Sequence, residues 1–226
     1  MIIKAKHRSF YILFLVFVIY LIDFADRKVM SVLFESIKYD WNITDVQLSL
    51  LEGVTSLVIA VCVLPMAIAI DRWSRKYMIA IMVAAWSIIT FVCAFAENYT
   101  QLLILRALIG IGEAAYAPAA VSLLSKSFPA RHRAKYIGIF DAAAPLGVAL
   151  GMIVGGYIGM IYGWRHAFGI VAIPGIICAI LALRIRDYYS IPVYKQSQRV
   201  PFSVSQIFEI VRIKTLWFVS IAFSCM

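Results

Sequence analysis

The stretch FYILFLVFVIYLIDFADRKVMSVLF, residues 10–34, decides how the chain folds. Thirteen apolar residues from Phe10 to Ile22 open a membrane-type helix, and Asp23, Asp26, Arg27 and Lys28 then interrupt it. A helix stopping at Ile22 would be about 20 Å long, short of the ~30 Å of hydrocarbon that a bilayer presents. The helix is therefore expected to continue through its charges to Phe34 and to hold them inside the membrane. Asp23, Asp26 and Arg27 stand at i, i+3 and i+4, so they share one helix face that can point away from lipid. An unpaired charge at mid-bilayer costs about 2.5–3.5 kcal/mol, so partners are expected on other helices.

Composition agrees with a membrane protein. Hydrophobic residues make up 63% of the 226-residue chain and charged residues 15%, with a mean hydropathy of +0.90. A soluble domain of this length has no interior large enough for that apolar surface. The net charge of +9 is a matter of topology. Sixteen of the 21 Lys and Arg residues fall into four clusters: Lys4/Lys6/Arg8, Arg72/Arg75/Lys76, Lys126/Arg131/Arg133/Lys135, and a group from Arg184 to Lys214. Basic clusters at alternate loops follow the positive-inside rule, which puts the N-terminus in the cytoplasm of a multi-pass protein of the cell's inner or plasma membrane. Nucleic acid is excluded as a partner. Cys62, Cys93, Cys178 and Cys225 are scattered singly through apolar stretches and read as small core residues, not as a disulfide framework or metal site. No small-residue cleavage site follows Ile22, so a signal peptide is rejected.

Six apolar segments follow the same length rule: Phe10–Phe34, Val46–Ile70, Tyr77–Ala96, Tyr99–Leu124, Tyr136–Met160 and Trp164–Leu183. Thr44 and Gln47 form a capping box ahead of the second. The links between segments two and three, three and four, and five and six are short, which predicts adjacent antiparallel neighbours. Residues 1–184 thus read as a six-helix unit and 185–214 as a polar linker. Within the linker, FSVSQIFEIVRI has the pattern of a surface amphipathic helix. Residues 215–226 open a seventh helix, about 18 Å long and too short to span.

Three motifs carry chemistry. The turn AIAIDRWSRK brings Asp71, Arg72, Arg75 and Lys76 together between segments two and three. A basic turn explains the cations but not Asp71, whose charge opposes the dipole at a helix C-terminus. In segment four, RALIGIGEAAYAPAA puts Arg106, Gly110 and Glu113 at i, i+4 and i+7 on one face. Its Gly-x-Gly fits a loose dinucleotide fingerprint but lacks the preceding strand, so that reading is dismissed. In segment five, Gly147, Gly151 and Gly155 repeat every fourth residue, a smooth strip for close helix packing. Asp141 lies one turn before Pro145 in the same segment, another ionisable group at membrane depth. No His-Glu-x-x-His, Gly-x-Ser-x-Gly or P-loop is present, and neither an enzyme nor a cofactor is expected.

The turn DRWSRK resembles the signature loop of the major facilitator superfamily, Gly-x-x-x-Asp-Arg-x-Gly-Arg-Lys, with Ala67 and Ser74 in the place of its glycines. The turn YGWRHAF at the start of segment six matches it in position and type, as an inverted three-plus-three repeat requires. With DFADRKVMSV in the first helix and Arg106…Gly110-Ile-Gly112-Glu113-Ala114 in the fourth, the chain looks most like the spinster-like branch of that superfamily. Proton-coupled organic anion transporters are the nearest rival branch. Where the superfamily's antiporter signature has Gly-Pro, this chain has Ala144-Pro145, so antiport does not follow.

The resemblance covers the N-terminal half of such a transporter. It implies an all-α integral membrane fold, the six-helix N-terminal bundle plus the truncated start of helix seven. It also implies alternating-access transport of a small organic anion or amphiphilic, lipid-like solute, coupled to protons. Asp26, Arg27, Arg106, Glu113 and Asp141 would form the substrate and proton pathway, with Glu113 or Asp26 as the titrating carboxylate and the arginines binding an anionic headgroup. Asp71, Arg72, Arg75 and Lys76 would latch the cytoplasmic side. Asp23 shares the cluster's face, with a solvated position nearer the surface as its alternative. Lys28 is expected to snorkel or to pair with Glu35. The bland alternative for the cluster is an ion-pair network that only orients helices. Partners are the bilayer, a small solute, and a second half or second copy that completes the cavity. The alternative for the whole chain is a truncated, non-transporting fragment.

Overall fold

The computed structural model describes residues 2–72 and 75–184, without the side chains of residues 2–8, 64 and 67–75. The expected linker at 185–214 and the start of helix seven at 215–226 lie outside the described residues, as do the side chains of Asp71, Arg72 and Arg75. The described chain forms α1 (Ile2–Val32), α2 (Phe34–Trp41), α3 (Asp45–Arg72), α4 (Arg75–Cys93), α5 (Tyr99–Glu113), α6 (Tyr116–Ser127), α7 (Arg133–Asp141), α8 (Ala143–Tyr162) and α9 (Trp164–Ala182). A 3-10 turn, Ala130–His132, precedes α7. By length and apolarity these give six membrane-capable spans: α1, α3, α4, α5 with α6, α7 with α8, and α9. The six segments read from the sequence correspond to them.

Helix α1 runs unbroken through Asp23, Asp26, Arg27 and Lys28, so the charges do lie within the first span. It gives way at Leu33 to the short α2, which ends on Asn42 in the left-handed conformation (φ 50°). The capping box ahead of α3 is formed reciprocally. The Thr44 amide donates to Gln47 Oε1 at 2.9 Å, and the Gln47 amide donates to Thr44 Oγ1 at 3.3 Å.

Two spans are discontinuous, a feature absent from the sequence reading. The fourth breaks at Ala114–Ala115 between α5 and α6, and the fifth breaks at Ala142 between α7 and α8. In each case a proline, Pro118 or Pro145, occupies the third residue of the second helix. Proline has no N–H for the carbonyl four residues earlier, and its ring crowds that carbonyl, so the first helix stops and a new one starts. Each first half ends on a carboxylate, Glu113 or Asp141.

Lateral packing corrects one expectation. Among the described residues α3 and α4 touch little despite their short link, because a link fixes proximity at one end only. Helix α3 packs instead along α5, while α4 packs along α9 and α5. Small residues set these choices. Gly147, Gly151 and Gly155 of α8 are buried against α1, where an added Cβ would strike Leu21 O, Ala25 O and Val29 Cγ2 respectively. Gly110 of α5 meets α3 in the same way, with Thr55 O 2.7 Å from where its Cβ would be.

The neighbours obey the symmetry of an inverted repeat. If spans one, two and three correspond to four, five and six, the packing of span one on five mirrors that of four on two. The packing of span one on six likewise mirrors that of four on three, and three on six maps onto itself. These are the most extensive helix contacts observed, but the contact of spans five and six is nearly as extensive as that of one and six, and its mirror between two and three is slight. The outward surface carries many large apolar side chains, among them Phe14, Val61, Phe95, Ile153 and Met160, as a lipid-facing bundle requires.

Candidate functional site

Spans one and four are the repeat-related pair, and their charged residues meet in the bundle interior. Arg27 Nε lies 3.0 Å from Glu113 Oε2, and Arg27 Nη2 lies 3.2 Å from Asp23 Oδ2. The side chains of Asp23 and Glu113 are 2% and 0% exposed, whereas that of Arg27 is 29% exposed. The Arg27–Glu113 contact has the distance of an ion pair without the angles of a hydrogen bond, and Asp23 lies within hydrogen-bonding reach of Glu113 as well. Arg27 also sits over the Phe24 ring, 5.2 Å from its centroid.

Asp26 points toward the third span, where Thr90 Oγ1 donates to its Oδ2 at 2.6 Å, and its other oxygen accepts no hydrogen bond. Arg106 is 1% exposed. Its Nε makes a long bond of 3.5 Å to Leu51 O, and its Nη1 is buried with no hydrogen-bond partner. Arg106 lies within electrostatic reach of both Asp26 and Glu113. Three carboxylates therefore face two guanidinium groups in the bundle interior.

On the cavity side of the cluster, Lys28 pairs with Glu52 at 3.1 Å, and Ser31 Oγ donates to the same Glu52 Oε1 at 3.0 Å. This replaces the expected partner Glu35. The chain turns at Leu33, so Glu35 belongs to α2 and not to the face that carries Lys28. Phe24, Arg27, Lys28, Glu52, Thr55, Ser56, Arg106 and Val148 line a cavity of about 210 Å³ between α1, α3, α5 and α8.

The structure thus brings Asp26, Arg27, Arg106 and Glu113 into one neighbourhood and adds Asp23, which is buried and not solvated. Asp141 stands apart at the exposed end of α7, and no ion pair among the described residues reaches it. Tyr20 lies between the two regions. It stacks on Phe140 at 4.3 Å and is within electrostatic reach of both Asp23 and Asp141. In the signature loop only Lys76 has a described side chain, placed 5.2 Å from the Tyr77 ring centroid.

Thr90 and Tyr116 were not singled out from the sequence. Tyr116 is fully enclosed and donates its hydroxyl to Val16 O at 2.6 Å, tying α6 to α1 immediately after the break that follows Glu113. A second network joins the far ends of α2 and α9. Asp40 Oδ2 accepts from Trp164 Nε1 at 2.8 Å and from Arg165 Nη1 at 3.1 Å. Among the described residues no group of three or more His, Cys, Asp or Glu has the arrangement of a metal site.

A sequence model described as Major Facilitator Superfamily matches residues 16–226. The chain belongs to that superfamily. It is 32% identical over 168 residues to Protein spinster of Drosophila melanogaster, covering 74% of this chain and 28% of that protein. It is 26% identical over 222 residues to the probable L-galactonate transporter of Escherichia coli (strain K12), covering 93% of this chain and 49% of that one. The crystal structure of a bacterial homolog to the human lysosomal transporter spinster, in an inward-facing and unoccupied conformation, aligns with a TM-score of 0.74 at 28% identity. That alignment covers 86% of this chain and 47% of the other. The superfamily chain described here spans about half, or less, of the length of these relatives.

Proposed function

We propose that the chain supplies the N-terminal half of a secondary transporter that moves a small organic anion, or an amphiphile with an anionic head, by alternating access coupled to protons. Residues 1–184 act as the first half, 185–214 as the link, and 215–226 as the opening of the seventh helix. Midplane sites between two halves are the rule for this architecture. A second half, or a second copy, closes the cavity over Arg27, Lys28 and Arg106. Asp71, Arg72, Arg75 and Lys76 latch the cytoplasmic side, where the positive-inside pattern also puts the N-terminus.

The observation that carries the anionic substrate is Arg106. Arg106 borders the cavity, and its guanidinium is buried with Nη1 lacking a partner, so a donor is left over for an anionic acceptor that reaches it. The proton role rests on charge balance. Two guanidinium groups neutralise two of the carboxylates Asp23, Asp26 and Glu113. An incoming anion takes up part of that cationic charge, so a carboxylate must accept a proton for the site to stay near neutrality. Glu113, enclosed beside both Arg27 and the second carboxylate Asp23, is the residue we assign to that task. Asp26, held by Thr90, is the second candidate.

Uptake tests this reading. The 226-residue chain, reconstituted in proteoliposomes under an inward proton gradient, is expected to accumulate radiolabelled L-galactonate. Arg106→Lys keeps the charge but loses the planar fork, so it should slow uptake about tenfold or more. Uptake by the variant at the wild-type rate would refute the role of Arg106. No uptake by the folded chain would make it a non-transporting half.

A further inference from the structure

The Lys28–Glu52 pair has no place in the buried charge cluster, yet it lines the same cavity as Arg106. Its two side chains are 38% and 37% exposed, unlike the enclosed Asp23 and Glu113. Exposed pairs of this kind are weak, and the charge on each partner is readily exchanged for another. Glu52 Oε1 accepts from Lys28 Nζ at 3.1 Å and from Ser31 Oγ at 3.0 Å. If Lys28 turns away, the Ser31 bond still holds the carboxylate. The hydroxyl-bearing Thr55 and Ser56 stand on the α3 wall, and Thr55 is committed to Arg106 O at 3.1 Å.

We propose that Glu52 is a resident counter-ion that a substrate anion displaces. In the empty cavity Glu52 occupies the Lys28 ammonium. An arriving carboxylate or phosphate monoester binds the Arg106 guanidinium and takes Lys28 as its second cation, while Glu52 stays parked on Ser31. Lys28 then sets selectivity for an anionic group, and Glu52 lowers affinity so that the substrate can leave. This deepens the anion-binding reading and rests on it.

Binding to the purified chain in detergent, measured by calorimetry, separates the two. The probes are L-galactonate as a free sugar acid, lysophosphatidate as a lipid headgroup, and D-galactose as a neutral control. Glu52→Gln removes the competitor and should tighten binding of the preferred anion about tenfold, whereas Lys28→Gln should weaken it about tenfold. Lys28→Arg should retain most of the affinity, and melting temperatures should stay near wild type in all three variants. Preference for galactonate marks a free acid as the ligand class and preference for lysophosphatidate a lipid head, and either supports the exchange. Wild-type binding with unchanged or weakened affinity in Glu52→Gln overturns the counter-ion role while leaving the anion site intact. Failure of the wild-type chain to bind either anion overturns both.

Discussion

Arg27→Met is expected to destabilise the folded chain by about 3–5 kcal/mol, because it removes one partner of a buried ion pair and leaves the other charge in place. Here the penalty falls on two carboxylates. Asp23 and Glu113 are both enclosed, and Arg27 is the cation within 3.2 Å of each. Methionine fills the volume but answers neither charge. The loss is largest at a pH where both carboxylates are ionised, and it shrinks on acidification as they protonate. A second change, Glu113→Gln, should restore part of the lost stability by removing one of the stranded charges. Melting temperature in detergent as a function of pH checks all three statements. A variant as stable as wild type would mean that the cluster is hydrated and not a dry network.

Gly151→Leu is expected to leave little folded protein. The Cβ of any side chain at this position would overlap Ala25 O and stand 2.7 Å from Ala25 Cα. Those atoms are backbone, so relief requires α1 to move off α8. Overpacking typically costs about 1–3 kcal/mol, and a leucine facing main chain belongs at or above the top of that range. The movement also carries Asp26 and Arg27 with it, so packing and charge network fail together. Gly53 and Gly138 serve as controls, since an added Cβ at either meets nothing within 4 Å. Alanine there should be neutral or stabilise by about 0.5–1 kcal/mol, as expected for glycine in a helix. Size-exclusion profiles and melting temperatures distinguish the two classes.

Helical spacing made much of the site readable. Asp23, Asp26 and Arg27 at i, i+3 and i+4, set against Arg106 and Glu113 a multiple of turns apart, name one face on each of two helices. Membrane cost then requires those faces to meet. The glycine strip of α8 was readable for the same reason, because its period matches a helix face. Thr90 was not, since a single hydroxyl in an apolar helix has no period, and only the fold brings it to Asp26. Lys28 was referred to Glu35 because sequence distance suggests a partner along one helix, whereas the bend at Leu33 gives it Glu52 across a helix pair. Pro118 and Pro145 were visible, but their consequence was not. Each splits a span just after a carboxylate, which shapes the surroundings of Glu113 and Asp141. Adjacency inferred from short links holds for α4 with α5 and for α8 with α9 but not for α3 with α4, where Gly110 lets α3 pack along α5 instead.

In the proposed cycle the cluster joining spans one and four takes up a proton when it receives an anion, through Glu113. Calorimetric titration of the purified chain with L-galactonate, in two buffers of different ionisation enthalpy, counts the protons taken up on binding. Uptake of about one proton per anion is expected in the wild type, and none in Glu113→Gln. A wild-type count of zero, or an unchanged count in the variant, would contradict it.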